Sequence, residues 1–446
     1  MKSENIDWVA NKMVSANQTG SDHLGYANRE PPYAPGFNEA MNRGMQMQSS
    51  RNVAVARDLL ARRRVEVLRT RPEIETLRQF WGSCSPPRDA DFDFFLFIVD
   101  LFPEVERVHV VVLYEEDVPK ALLAGRIEVG RLPIRLGYFA IPVPKLRILQ
   151  IVHGGWLGAI SEENAKALIE SVVDSLAAGE ADVASLHSPD FDSSIVRCSR
   201  VLPSWWCSDH AVRPQARRVR ELSGAAGPFS CSLSQNERYQ QRKRARNLTK
   251  GFAEHRIDRF TGPADVDRLM RDAELVASKS YQRGLRVGFS GSATIRSRLQ
   301  FEANMGWLQG YILYLDGQPA AFWIGSLRNG VFLSEYLSFD PGYTKYGPGI
   351  YLVLKVMEDL HDDPRHPPTR LVDFGIGDAA YKERLATRHW HESSVLIFAP
   401  RLGAVWVNAL RSSVEIANRS VKQALRLTPW LLLLKRRWRT KVIKDG

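Results

Sequence analysis

Between Leu371 and Leu385 the chain reads LVDFGIGDAAYKERL, and this stretch holds most of its side chains with usable chemistry. A short apolar run meets two glycines and an acid, and a Tyr-Lys pair then opens what reads as a helix. Strand, glycine turn and helix start is where α/β folds hold ligands, because unpaired backbone N–H groups converge there. Lys382 puts an amine at a helix start, where the macrodipole disfavours a cation, so a phosphate or oxyanion partner would explain it. The plainer reading is a surface lysine whose stem covers the core. Tyr381 offers a phenol for acid catalysis, or is a core aromatic with a satisfied hydroxyl. Asp378 is either part of the site or the N-cap of the YKERL helix. Asp373, at the strand end, is suited to be a buried charge holding Lys382 or an arginine.

Glu335 is the other acid of note, set in VFLSEYLSF. Strand alternation places it on the face of Leu333 and Leu337. A carboxylate there could take a proton from an attacking amine or hydroxyl; a solvent-facing strand position is the alternative.

Gly375, Gly377 and Ala380 also fit G-x-G-x-x-A, the dinucleotide fingerprint, and VDFGIG looks like the first motif of methyltransferases that use S-adenosylmethionine. Both folds need several βα units after that motif and an acid about 20 residues on. Only 61 residues follow Leu385, mostly without strand–helix rhythm, so neither cofactor is expected.

The elements that must position these groups follow from length and pattern. At 446 residues two domains are the default, and 44% hydrophobic with 25% charged residues is globular composition. The net charge of +11 favours acidic partners: phosphates, nucleic acid or an anionic membrane. Four cysteines without a C-x-x-C pair or clustered histidines point to neither zinc nor a disulfide framework. The first twenty residues lack an apolar h-region and no apolar run approaches a bilayer span, so a cytoplasmic protein, peripheral at the inner membrane at most, is expected.

Residues 1–62 read as a disordered leader, rich in Asn, Gln, Gly, Pro and Met. The first half then gives strand VEVLRT, helices PEIETLRQFWGSC and DFDFFLFIVDLF, strands RVHVVVLYEE, KALLAGRIEV and LRILQIV, helix ENAKALIESVVDSLAAG and strand ADVASLHS. The second half repeats this order from RIDRFTG, with a hairpin at Asp316-Gly317, the helix IYLVLKVMEDLHDD after Gly347-Pro348-Gly349, strand RLVDF and a last strand WHESSVLIF. Each half is strand, two helices, antiparallel strands, helix, strand, which suggests two α+β domains side by side, 63–213 and 214–400. Between them NERYQQRKRARNLTKG is a basic helix; Arg238, Arg242, Lys243, Arg244 and Arg246 fall within nine residues without an acid. With Tyr239 as the one interleaved aromatic, nucleic acid is not the expected partner.

The GPG–helix run followed by DFG-x-GD-x-x-YK resembles the GNAT-like acyltransferases of the CelD/BcsL type, found in bacterial exopolysaccharide and cellulose gene neighbourhoods. The resemblance runs from about Ser232 to Pro400. It includes the basic helix, the hairpin GQPAAFWIGS, the run SEYLSFDPGYTKYGPGIYL and the closing segment FGIGDAAYKERL. The closing lysine also occurs in the FemABX ligases, which share the doubled GNAT-like fold. The resemblance implies two GNAT-like domains in tandem, mixed sheets flanked by helices, and an acyl-CoA donor with no metal. It places the donor's pyrophosphate at a helix start, here Tyr346, Gly347, Pro348 and Gly349, where Pro348 leaves the neighbouring N–H groups free, with Arg242 and Arg246 from the basic helix. Glu335, Tyr381, Lys382 and Asp378 become the catalytic candidates, with a saccharide or cell-envelope precursor as acceptor. A FemABX-like transferase using aminoacyl-tRNA and a non-catalytic scaffold of a polysaccharide synthase are the alternatives.

From Arg401 onward eleven Lys/Arg stand against two acids. Val405, Val407, Leu410, Val414 and Ala417 have helical spacing, and Trp430 to Leu434 lie beside Lys435, Arg436 and Arg437. This basic tail, 401–446, suits an amphipathic helix on an anionic membrane or a helix packing back on the domain.

Overall fold

Runs of Val, Ile and Leu long enough to be buried on both faces generate two mixed sheets, each covered by helices on both sides. The computed structural model describes residues 63–137, 139–222, 227–280, 288–362, 369–377 and 379–427, with side chains as far as Val421. The leader, Asp378 and the segment from Thr428 lie outside the described residues.

In chain order the first half comprises β1 (Arg63–Leu68), α1 (Arg71–Glu75), α2 (Arg78–Ser83), α3 (Phe92–Leu101), β2 (Val105–Glu115), β3 (Val118–Gly130), β4 (Ile134–Leu136), β5 (Phe139–Ile141), β6 (Leu146–Gly158), α4 (Glu162–Ala177), β7 (Val183–Leu186) and α5 (Ser194–Val201). Local chemistry sets the ends. Asp91 caps α3 through Asp93 N and Phe94 N, and Ser161 caps α4 by accepting from Asn164 N. Glu116 and Asp117 both take positive φ, 53° and 65°, which gives the β2–β3 hairpin a tight turn with strand-matching twist.

The second half comprises β8 (Gln215–Glu221), α6 (Gln235–Gly251), β9 (His255–Phe260), α7 (Val266–Lys279), α8 (Ala293–Asn304), β10 (Leu308–Leu315), β11 (Gln318–Arg328), β12 (Val331–Phe339), α9 (Pro348–Asp362), β13 (Leu371–Ile376), α10 (Ala380–Leu385), β14 (Arg388–Glu392), β15 (Val395–Phe398) and α11 (Leu402–Leu427). Asp316-Gly317 makes the expected β10–β11 turn, with φ of 46° and 76°.

The sheet orders are β1-β2-β3-β6-β7-β15 and β14-β8-β13-β12-β11-β10-β9. Each has an antiparallel run ending on a strand (β6, β12) that pairs in parallel with the strand after the next long helix (β7, β13). The order repeat legible in the sequence is thus a repeat of topology. One strand crosses between the sheets: β15 of the second half lies antiparallel to β7 in the first sheet, whereas β8 stays in the second sheet, antiparallel to β13.

Three elements differ from expectation. WHESSVLIF is two strands in different sheets, broken at Ser393-Ser394. The strand QARRVRE, which has no apolar alternation to announce it, and the small hairpin of the three-residue strands β4 and β5 are not among the expected strands. Helix α11 follows one of the two readings of the tail: it packs back on the first sheet, burying Ala404, Val407 and Val414 in that core.

The halves meet through the loop before α3. Arg328 Nη2 donates to Asp91 at 2.6 Å, and the ring of Phe97 stacks on Phe301 at 4.4 Å.

Candidate functional site

Because β12 and β13 are parallel, the turns that leave their C-terminal ends open on the same edge of the sheet. One turn carries Gly347-Pro348-Gly349 and the other Gly375 to Lys382. The structure therefore brings together two groups of candidates that are far apart in sequence.

At the first turn, a 3-10 segment Pro341–Tyr346 ends at Gly347, whose φ of 62° and ψ of 49° are left-handed. Asp340 anchors the entrance, accepting from Gly342 N at 2.9 Å and Lys279 Nζ at 2.8 Å. Burial opposes charge on Asp340, but these two bonds hold its carboxyl below the usual range. Pro348 begins α9, so the N–H groups of the residues after it have no partner within the helix. Gly349 lies against Phe339, and a Cβ there would come within 3.1 Å of the ring. Tyr346 packs its ring on Gly251 and on Phe252, 4.8 Å away, so it braces α6 against the turn.

Arg242 and Arg246 do not reach this turn. Both are exposed on the outer face of α6, and neither forms an ion pair among the described residues. The arginine that does reach it is Arg244. Its Nε lies 3.4 Å from the position a Cβ on Gly347 would occupy, and its Nη1 is buried without a hydrogen-bond partner. Burial lowers its pKa from the ordinary arginine value. A buried guanidinium nitrogen left open beside a helix start is suited to an anion. All five cations look alike in the sequence; what separates them is that Leu248, Glu237 and Gln241 turn one face of α6 onto α9 and α10. Glu237 pairs with Arg384 at 2.7 Å, and Gln241 Nε2 donates to Tyr351 O at 3.4 Å.

Between the turns the strands separate. β12 pairs with β13 only from Val331 to Leu333, whereas β13 stays paired with β8 from Leu371 to Ile376. Opposite this opening β12 carries a bulge: Ser334 pairs with Gly325 and Tyr336 with Ile324, which leaves Glu335 as the extra residue. Its backbone has no registered partner on either neighbouring strand, a place where a carbonyl oxygen could be received.

The Glu335 side chain lies in a buried ion cluster. One carboxylate oxygen is bound by Arg88 and the other by Arg298. Arg88 also reaches Glu302 Oε1 at 2.8 Å and Asp89 at 2.6 Å. Among the described residues two guanidinium groups thus face three carboxyl groups. Glu302 is the fully buried one, and its Oε2 has no hydrogen-bond partner. Burial, with repulsion from Glu335, pushes its pKa up to about 7 despite the arginines. Glu302 carried no signal in the sequence, being one acid of an ordinary helix.

Asp373 holds an arginine, Arg217 of β8, whose Nε donates at 2.8 Å. Arg217 Nη1 also donates to Glu392 Oε2 and to His153 Nε2, both at 3.0 Å. Since an arginine only donates, His153 Nε2 is the unprotonated nitrogen of a neutral ring. Burial raises the Glu392 pKa, opposed by Arg217. Asp373 Oδ1 accepts from Gly375 N at 2.7 Å, and so fixes the turn in which Gly375 has φ of 71°. Lys382 Nζ donates to Ile376 O at 2.9 Å, and Tyr381 packs edge-on against Phe374 at 6.1 Å. Both therefore lie on the strand-end turn.

A cleft of about 590 Å³ lined by Ile257, Arg259, Tyr311, Lys355 and Glu358 sits at the other edge of the sheet, by β9 and β10. None of the candidate residues lines it. Among the described residues no group of three His, Cys, Asp or Glu side chains could hold a metal ion, and no helix is long and apolar enough to cross a membrane.

Residues 235–383 match the family described as an acetyltransferase (GNAT) domain. No curated protein matches the chain. Among solved structures it is similar to a conserved protein of unknown function from Bacteroides thetaiotaomicron (11% identity, 72% of this chain and 97% of that one, TM-score 0.46). It is also similar to FemX (9%, 64% and 87%, TM-score 0.43) and to a tandem GNAT protein from the clavulanic acid biosynthesis pathway (12%, 76% and 99%, TM-score 0.42). The matched segment spans α6 to α10 and includes both turns. The fold is α+β, a GNAT domain preceded by a GNAT-like one of the same strand arrangement, and the enzyme class is that of an acyltransferase.

Proposed function

We propose that the chain transfers an acyl group from acyl-CoA to an amine or hydroxyl of a saccharide or cell-envelope precursor, as in exopolysaccharide biosynthesis. The observation that carries the donor is Arg244, a half-buried guanidinium whose buried Nη1 is left open beside Gly347 at the start of α9. The donor's pyrophosphate lies on the N–H groups of that turn and on Arg244. Its pantetheine arm enters the opening between β12 and β13, with the thioester carbonyl oxygen at the bulge of Glu335. The acceptor attacks the carbonyl carbon, the C–S bond breaks, and the thiolate takes a proton from the Tyr381 hydroxyl. The acceptor's proton leaves to water, which in turn reprotonates the Tyr381 phenolate, since both Glu335 oxygens are held by arginines; Glu335 is a positioning residue that fixes the bulge. Lys382, bound to Ile376 O, holds the turn that presents Tyr381. The acceptor class rests on the resemblance of the closing segment.

Thermal unfolding with and without CoA, acetyl-CoA and longer acyl-CoAs tests this reading, because a ligand of the folded state alone raises stability. A saturable rise is expected, dependent on chain length. No rise with any CoA species would overturn it. The outer face of α6, with Arg238, Arg242, Lys243, Arg246 and Lys250 turned away from α9, favours one second reading, a charged tRNA as donor. A stability rise with aminoacyl-tRNA and none with CoA would select it.

A further inference from the structure

We infer that the outward face of α11 is a docking surface for an anionic lipid bilayer. The inward face is already occupied. Besides the buried Ala404, Val407 and Val414, Asn408 Nδ2 donates to Trp206 O and Ser208 O at 2.9 Å, and Asn418 Nδ2 donates to Arg135 O of β4 at 2.7 Å. Much of the apolar stripe that the spacing of Val407, Leu410 and Val414 defines is therefore core and meets no membrane.

The opposite face forms a second stripe. Leu402, Trp406, Ala409, Ser413, Ile416 and Ser420 follow one another at intervals of four and three residues, and all are exposed. Leu402 is 93%, Ile416 64% and Trp406 55% accessible. None of the six is charged, although a helix face in water normally carries charge. As far as Val421 the helix's charges, Arg411, Glu415 and Arg419, stand to one side; Arg411 binds Asp209, and Glu415 binds Arg213 and Arg419. The stripe runs about 27 Å at 1.5 Å per residue. Trp205 and Trp206 are exposed on the 3-10 turn that Asn408 ties to α11.

Two observations choose the occupant. Residues 401–446 hold eleven Lys/Arg against two acids, so a second copy on this face would bring like charge against like, whereas anionic headgroups complement it. Exposed tryptophans also suit the depth at which a bilayer changes from polar to apolar. The sequence past the helix, TPWLLLLKRRWR, continues the same chemistry.

The full chain is tested by co-sedimentation with vesicles of pure phosphatidylcholine and of an equal mixture with phosphatidylglycerol, at low and high salt. Binding to the mixture is expected to exceed binding to phosphatidylcholine at least ~tenfold and to weaken with salt. The exposed pair Trp406→Ser and Ile416→Ser should lower it roughly tenfold with the unfolding temperature unchanged. No binding, equal binding to both vesicles, or wild-type binding by the variant would overturn the inference. So would a soluble dimer that Ile416→Ser dissolves, since a second copy would then cover the face.

Discussion

Arg88 and Glu302 are 214 residues apart in the chain and 2.8 Å apart in the fold, one on a loop of the first half and the other on helix α8 of the second. Both are buried, and Glu335, Arg298 and Asp89 complete the cluster. The junction between the halves is thus ionic at its centre and aromatic beside it, where Phe97 stacks on Phe301.

Arg88→Met removes one of the two cations that the described residues give this cluster and leaves buried carboxylates short of partners. Such a loss costs about 3–5 kcal/mol, far more than an exposed ion pair is worth. Urea unfolding should show that drop, and Arg88→Met with Glu302→Gln should recover part of it. A cost below about 1 kcal/mol would mean that the cluster is hydrated or rearranged.

Glu302 gives stability a pH dependence of defined sign. Its folded pKa of about 7 lies above the unfolded carboxyl value, so the folded state binds the extra proton between them. The resulting stability is fully present below the unfolded pKa and is lost as pH rises through about 7. Glu302→Gln cannot ionise, so its stability relative to wild type should rise by about 1–3 kcal/mol between pH 5 and 8. A difference that stays flat with pH would place the extra proton elsewhere.

Arg244→Gln should abolish or sharply weaken the thermal shift by acetyl-CoA, while Arg242→Gln and Arg246→Gln, on the outer face, leave most of it. Gly347→Ala should also weaken donor binding and cost about 1 kcal/mol, because the left-handed conformation there disfavours a Cβ. Calorimetric titration with CoA checks all four variants. Equal losses for the three arginines would instead indicate long-range attraction by the whole helix.

Lys382→Met should lower turnover more than donor affinity, because Lys382 holds the turn carrying Tyr381 rather than the turn at Gly347. Tyr381→Phe should lower kcat without changing the unfolding temperature, and its loss should be smallest with thioesters whose leaving thiol is most acidic. A leaving-group series on wild type and Tyr381→Phe reads this directly. Parallel slopes in the two proteins would remove Tyr381 from the proton transfer.

The sequence by itself determined the elements, the order repeat and the two turns. Period-2 and helical apolar patterns, Asp316-Gly317 at a hairpin and Gly347-Pro348-Gly349 before a helix are local facts, fixed by backbone sterics within a few residues. What it left open was decided by groups brought from far away. QARRVRE is a strand despite three arginines, because Arg217 finds Asp373 and Glu392, and Arg220 finds Leu385 O and Ser232, across more than one element. Among five adjacent cations, only the packing of α6 on α9 turns Arg244 inward and leaves Arg242 and Arg246 outside. Glu335 looked like a free acid on a strand and became a held one, since its partners Arg88 and Arg298 come from another half and another helix. Local pattern says where a side chain can point; the pairing of buried charge, which is expensive to leave unmet, decides what it meets.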